Sequence, residues 1–173
     1  DQEIIQLARQ IKQLTDSYRV PLIVNDRLKV ACELGLGLHV GQNDTHPREA
    51  RRLLGPKPLL GLTSHLRVDL IHQASEWIDY IGCGPVFSSK TKCFTEFVGT
   101  KFLVEVVNEI RIPAFAIGGI DLSNVDQVVE TGMRRIAVTG ALRDSEDPVR
   151  AAKQLKAALL GADAVEDETK RSD

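Results

Sequence analysis

The sequence predicts an α/β fold built on a parallel sheet, and three observations carry that expectation. Short apolar runs of four to seven residues alternate with longer segments of helical periodicity. The runs are almost wholly apolar, as in strands buried on both faces. Each run also ends in small or polar residues, which places polar chemistry at the C-terminal ends of the strands. Such alternation produces right-handed βα units whose ligand site lies at those ends. Two architectures fit the pattern. One is an open doubly wound sheet; the other is a (β/α)8 barrel, of which six βα units are present here.

In chain order, Ile4, Ile5, Leu7, Ala8, Ile11 and Leu14 recur at helical spacing and predict a helix over 2–14. Val20-Pro21-Leu22-Ile23-Val24 is the first strand, ending in Asn25-Asp26-Arg27. Residues 28–34 form a helix closed by Gly35, and residues 37–40 a strand ending in Gly41-Gln42-Asn43-Asp44. Pro47 opens a helix that Gly55-Pro56 stops. A strand over 58–62 runs into Thr63-Ser64-His65, a helix follows over 66–75, and a strand runs over 80–86. Residues 100–110 are helical, 113–117 a strand ending in Gly118-Gly119-Ile120, and 124–131 a helix closed by Gly132. A last strand over 135–138 precedes Thr139-Gly140, and Pro148 begins a helix to about Leu160. The charged tail over 161–173 has the composition of a disordered segment.

The chain has 173 residues, 43% of them hydrophobic and 27% charged, a mixture that fits one globular domain and excludes a fibrous class. A net charge of -2 gives no basic face for nucleic acid or an anionic membrane. Any anion site must therefore be local. Cys32, Cys83 and Cys93 lack metal-ligand spacing and suit free thiols in a reducing, cytoplasmic setting. No apolar run approaches the roughly 20 residues of a membrane span.

The stretch richest in chemistry is 82–92, Gly-Cys-Gly-Pro-Val-Phe-Ser-Ser-Lys-Thr-Lys. Gly82 and Gly84 permit close backbone approach, Ser88, Ser89 and Thr91 can donate to phosphate oxygens, and Lys90 and Lys92 bring positive charge. A plain solvated loop would read the same way. Asp26 and Asp44 carry two readings, helix N-cap or metal ligand. The glycine pair 118–119 could be only a tight turn. His39, inside a strand, reads as a packed core residue, His46 and His72 as surface residues, and Cys83 as buried filler.

Five stretches together resemble thiamine-phosphate synthase, a TIM-barrel enzyme family. They are Ile23-Val24-Asn25-Asp26-Arg27; His39-Val40-Gly41-Gln42-Asn43-Asp44; Gly61-Leu62-Thr63-Ser64-His65; Gly84-Pro85-Val86-Phe87 with Ser89-Lys90-Thr91-Lys92; and Ile117-Gly118-Gly119-Ile120 with Asn124. The match covers residues 1 to about 160, which the resemblance makes a barrel domain lacking its first β-α-β unit. It implies transfer of the 4-amino-2-methyl-5-pyrimidinylmethyl group from its diphosphate to 4-methyl-5-(2-phosphoethyl)thiazole. Catalysis of this kind rests on neutralising the leaving diphosphate and aligning the thiazole nitrogen. By the same resemblance Asp26 and Asp44 would hold Mg2+, a hard ion suited to carboxylates and phosphate oxygens. Asn25 and Thr63 would sit by the pyrimidine diphosphate, and Lys92 would hold its charge. Ser89, Thr91, Gly119, Thr139 and Gly140 would take the thiazole phosphate. The expected partners are these two small molecules, with no nucleic acid and no membrane, and either a homo-oligomer or a further N-terminal segment.

The chain departs from the family pattern in several places. A Gln-x-Arg-x-Lys run that grips the pyrimidine diphosphate has no counterpart, so the sequence reads as a fragment or as one part of a larger assembly. Ser89 stands where Thr is usual and Gly140 where Ser is usual. Two rivals share many of these features. A thiazole tautomerase of the same superfamily would carry Gly-His at Gly84-Pro85, and a phosphate-binding module without catalysis would explain the missing clamp. A nucleotide-binding open sheet lacks its Gly-x-Gly-x-x-Gly or Walker turn.

Overall fold

The computed structural model describes residues 2–65, 68–88 and 97–161. Its strand order, β1-β2-β3-β4-β5-β6, follows the chain. β1 (Ile23–Asn25) pairs in parallel with β2 (Gly37–Val40), β2 with β3 (Leu60–Ser64), and β5 (Ala114–Ile117) with β6 (Ile136–Ala137). Helices separate consecutive strands, as parallel pairing requires.

The chain falls into two compact units that share β4 (Tyr80–Cys83). The first holds α1 (Gln2–Ser17), β1, α2 (Leu28–Leu34), β2, α3 (Pro47–Leu54), β3, most of α4 (Val68–Ala74) and the start of β4. Its core is built from Val30, Leu38, Leu60 and Ile71, all essentially inaccessible. Burying such side chains contributes about 1.5–3 kcal/mol each. The second holds the end of β4, α5 (Gly99–Glu109), β5, α6 (Val125–Glu130), β6, α7 (Gly140–Arg143) and α8 (Pro148–Leu160). Phe102, Leu103, Ala116 and Val128 form its centre, and α8 packs on α6 and α7.

Local chemistry fixes several element ends. Gly35 closes α2 in the left-handed region at φ 62°. Pro47 sits in the first turn of α3, where a missing N–H costs nothing, and the His46 imidazole accepts from Arg48 N at 3.2 Å. The Asp147 carboxylate caps α8 by accepting from Arg150 N at 2.9 Å.

Some boundaries differ from the sequence reading. The first strand begins at Ile23 and not at Val20: Val20 N instead donates to Thr15 O, closing α1, and Pro21 has no amide to give a ladder. β3 likewise starts after Pro58 and runs on through Thr63 and Ser64, so Thr63 lies within the strand. β4 stops at Cys83 ahead of Pro85. α7 was absent from the sequence expectation; it follows Thr139 with no side-chain cap to announce it. Residues 162–173, expected as a disordered tail, lie outside the described residues.

Candidate active site

In the first unit, the polar residues expected at strand ends gather around His39. β1 places Asn25 opposite His39 in the parallel register, and the next amide, Asp26 N, donates to the His39 carbonyl at 2.9 Å. Asp26 adopts φ 58°, a conformation that non-glycine residues rarely hold and that concentrates at functional sites. Asn25 Nδ2 donates to Asp26 Oδ2 at 2.5 Å. Asp44, in the turn after β2, accepts from Gly41 N through Oδ2 at 2.7 Å.

Neither aspartate is the N-cap residue of the helix that follows it. The N-cap of α2 is Arg27, with no side-chain bond, and that of α3 is His46. The N-cap alternative for both aspartates is therefore set aside, which leaves two exposed carboxylates at the ends of neighbouring strands. Oxygen donors of this kind suit a hard divalent cation such as Mg2+, which takes one or two carboxylates and completes its shell with water and substrate oxygen. Among the described residues, no group of three or more His, Cys, Asp or Glu side chains is arranged to hold a metal ion. A metal here would rest on this pair and on its substrate.

His39 itself differs from a packed core residue. It is half-buried, and both ring nitrogens meet polar partners: Nδ1 lies 2.9 Å from Tyr80 Oη and Nε2 lies 2.6 Å from Thr63 Oγ1. Burial holds its pKa below the ordinary 6.5, a shift that the nearby Asp44 carboxylate partly opposes. Burial thus favours the uncharged form of the imidazole. Tyr80 is pushed up to about 12 by burial and by the charge of Asp79, so its phenol keeps its proton.

In the second unit, Gly118 and Gly119 follow β5 at φ 99° and 65°. The turn is packed against the chain after β4: Phe87 N donates to Gly118 O at 3.0 Å and Val86 N to Ile117 O at 2.9 Å. A Cβ on Gly119 would stand 2.7 Å from Phe87 O and would strike Ser88 O as well. Asn124 fixes the turn from the other side, donating from Nδ2 to Gly119 O at 2.8 Å and accepting from Asp121 N at 2.9 Å. Thr139 is exposed at the start of α7, with Gly140 as that helix's first residue. His65 donates from Nδ1 to Gly84 O.

The structure thus brings Asn25, Asp26, Asp44 and Thr63 about one residue of β2, and places Gly119, Thr139 and Gly140 after β5 and β6. Ser89, Thr91 and Lys92 lie outside the described residues, as do Lys90 and Cys93. Sequence reasoning missed Tyr80 and the use made of His39. The signal that could have found them is Gly61, a glycine inside a strand and therefore a mark of close approach. Cys83 is buried, as expected of a filler.

Comparison with known proteins identifies the family. A family model described as thiamine monophosphate synthase matches residues 1–142. The thiamine-phosphate synthase of Synechococcus sp. (strain WH7803) is 41% identical over 152 residues, covering 87% of this chain and 43% of the relative. That of Thermus thermophilus is 39% identical over 157 residues, covering 90% of this chain and 75% of the relative. The chain therefore spans less than half the length of the first of these. Among solved structures, thiamine phosphate pyrophosphorylase from Pyrococcus furiosus superposes with a TM-score of 0.79 at 29% identity, over 91% of this chain and 76% of that one. A chain matched by the family model over residues 1–142 of 173 belongs to the thiamine monophosphate synthase family.

Proposed function

We propose that the chain carries out, within the protein to which it belongs, the thiamine-phosphate synthase reaction. The 4-amino-2-methyl-5-pyrimidinylmethyl group passes from its diphosphate to the ring nitrogen of 4-methyl-5-(2-phosphoethyl)thiazole, giving thiamine phosphate and diphosphate. The observation that carries this reading is the gathering of Asn25, Asp26, Asp44 and Thr63 around His39. On this reading the six βα units are part of a (β/α)8 barrel, with residues 1–160 as the barrel domain and 161–173 as a tail.

The leaving group decides which residues matter. Diphosphate departs with its bonding electron pair, leaving a pyrimidinylmethyl cation that the thiazole nitrogen captures, so the site must stabilise anionic oxygen and hold two reactants in line. Asp26 and Asp44 would hold Mg2+, which would supply neutralisation of the diphosphate charge when bound. Asn25 and Thr63 offer an amide and a hydroxyl to the pyrimidine diphosphate, and Lys92 adds a cation. Ser89, Thr91, the Gly119 backbone and the Thr139-Gly140 turn take the thiazole phosphate. Gly119 would serve through its backbone N–H, since the space of its missing side chain is taken by the Phe87 and Ser88 carbonyls. A general base is not needed. The free thiols Cys32 and Cys83 fit a reducing, cytoplasmic setting, and no helix among the described residues is long and apolar enough to cross a membrane.

The test is coupling of the two substrates with and without Mg2+, on this chain and on a form extended upstream of residue 1. Metal-dependent formation of thiamine phosphate by either form supports the reading. Failure of both forms, with the fold intact by circular dichroism, would remove it.

A further inference from the structure

Three strands of the first unit build a connected chain of polar groups, of which the assignments above use only Thr63. β4 supplies Tyr80, β2 supplies His39, and β3 supplies Thr63, with Oη to Nδ1 at 2.9 Å and Nε2 to Oγ1 at 2.6 Å. β3 also supplies the space. Gly61 is the register partner of His39, and a Cβ there would stand 2.5 Å from both His39 Nδ1 and Tyr80 Oη and would strike the phenol ring. Any other residue at 61 would push the two groups apart. The His39 and Tyr80 rings lie with centroids 5.4 Å apart and tilted by 34°.

A neutral imidazole has one donor nitrogen and one acceptor nitrogen, so the two bonds must run in the same direction along the chain. Either Tyr80 donates to Nδ1 and Nε2–H donates to Thr63, or Thr63 donates to Nε2 and Nδ1–H donates to Tyr80. The two senses differ in what Thr63 can do next. In the first, the threonine's own proton is available to an anion. In the second, that proton is spent on His39, and only lone pairs would meet a phosphate oxygen, which is itself an acceptor. A phenol is a far better proton donor than a neutral imidazole, and Tyr80 keeps its proton across the physiological range.

We propose that His39 is a positioning residue, held by Tyr80 as the Nε2–H tautomer so that it donates to Thr63 Oγ1 and commits the Thr63 hydroxyl proton to a diphosphate oxygen. The proposal rests on the reading of Thr63 as a diphosphate-side residue and adds the two residues that set its donor direction. His39 need not touch substrate for this. It acts through the hydroxyl.

The first measurement is long-range 1H–15N NMR of the histidine rings in the chain without ligand, with His39 assigned by difference against His39→Gln. The expected pattern is a neutral ring protonated on Nε2. A ring protonated on Nδ1 overturns the proposal. The second measurement is calorimetric titration with inorganic diphosphate in the presence of Mg2+. Tyr80→Phe and His39→Leu should each weaken binding about tenfold, the loss of roughly one charge-assisted hydrogen bond. His39→Gln, which keeps an amide donor, should recover most of the affinity. Thermal melts of all variants guard against a mere loss of fold. If diphosphate binds the parent chain and Tyr80→Phe and His39→Leu bind it equally well, the positioning role falls while the substrate reading stands. If the parent chain and the form extended upstream both fail to bind diphosphate, the substrate reading falls and takes the positioning role with it; the tautomer would then report only a structural bond.

Discussion

Arg51 on α3 reaches Asp79, with Nη2 2.6 Å from Oδ2, and the same carboxylate oxygen accepts from Leu60 N at 2.7 Å. The guanidinium is largely enclosed and spends its other donors on backbone: Nε on Trp77 O at 2.9 Å, and Nη1 on Gly55 O and Pro58 O at 2.9 and 2.8 Å. One side chain therefore ties the end of α3, the entry of β3 and the entry of β4 together, which sets where both strands begin. Arg51→Leu should cost roughly 3 kcal/mol, because it strands three carbonyls and a carboxylate at once. Asp79 is 41% exposed, so most of that loss comes from the backbone bonds and not from the ion pair. Urea unfolding measures it; a midpoint unchanged from the parent would mean that the clamp is not structural.

Asp26 offers a clean probe of the metal reading. Asn tolerates the left-handed conformation that Asp26 adopts at φ 58°, so Asp26→Asn removes charge without adding backbone strain. Mg2+ affinity should fall by at least about tenfold, since even the loss of an outer-sphere partner costs that much. Asp163→Ala, in the charged tail, serves as the control and should leave Mg2+ affinity unchanged. Calorimetric titration with Mg2+ and diphosphate together checks both. Equal behaviour of the two variants would remove Asp26 from the metal site.

Much of this was legible in the sequence because the signals are local. α2, α3 and α8 have the bounds that the sequence predicts, since Gly35, Pro47, Gly55 and Pro148 act within one turn of themselves. β1 and β3 were displaced by two or three residues because apolar runs continue through Pro21 and Pro58, whose missing amides cannot join a ladder. The positions of Asn25, Asp26, Thr63 and Asp44 at strand ends follow from the same pattern. The link between Tyr80 and His39 does not. It joins residues 41 apart in the chain and depends on strand register, which hydrophobic periodicity alone leaves open.

Gly119→Ala should damage the second unit. The residue would have to hold φ 65° with a Cβ 2.7 Å from Phe87 O and closer still to Ser88 O, so either the turn or the chain after β4 must move. A destabilisation of about 1–3 kcal/mol is expected from the backbone conformation alone. If this turn takes the thiazole phosphate, KM for that substrate should rise by more than KM for the pyrimidine diphosphate. Steady-state kinetics with each substrate varied in turn separates the two. A rise confined to the pyrimidine diphosphate would place the turn elsewhere in the reaction.

Cys83 and Tyr80 make the fold sensitive to alkali. Burial pushes the Cys83 thiol up to about 12 from an ordinary 9.0, and burial with the Asp79 charge pushes Tyr80 to about 12 from 10.0. Both groups bind a proton more tightly when folded, so their contribution is fully present below the unfolded values and is lost as pH rises toward 12. Chemical unfolding followed from pH 8 upward should show stability falling once pH passes 9, and the parallel variant Tyr80→Phe should show a shallower fall. The same burial predicts the thiol chemistry. At pH 8 iodoacetamide should modify exposed Cys32 and leave Cys83 untouched until the chain is unfolded, as resolved by peptide mass mapping. Modification of Cys83 at the rate of Cys32 in the folded chain would show that β4 opens far more readily than a core strand should.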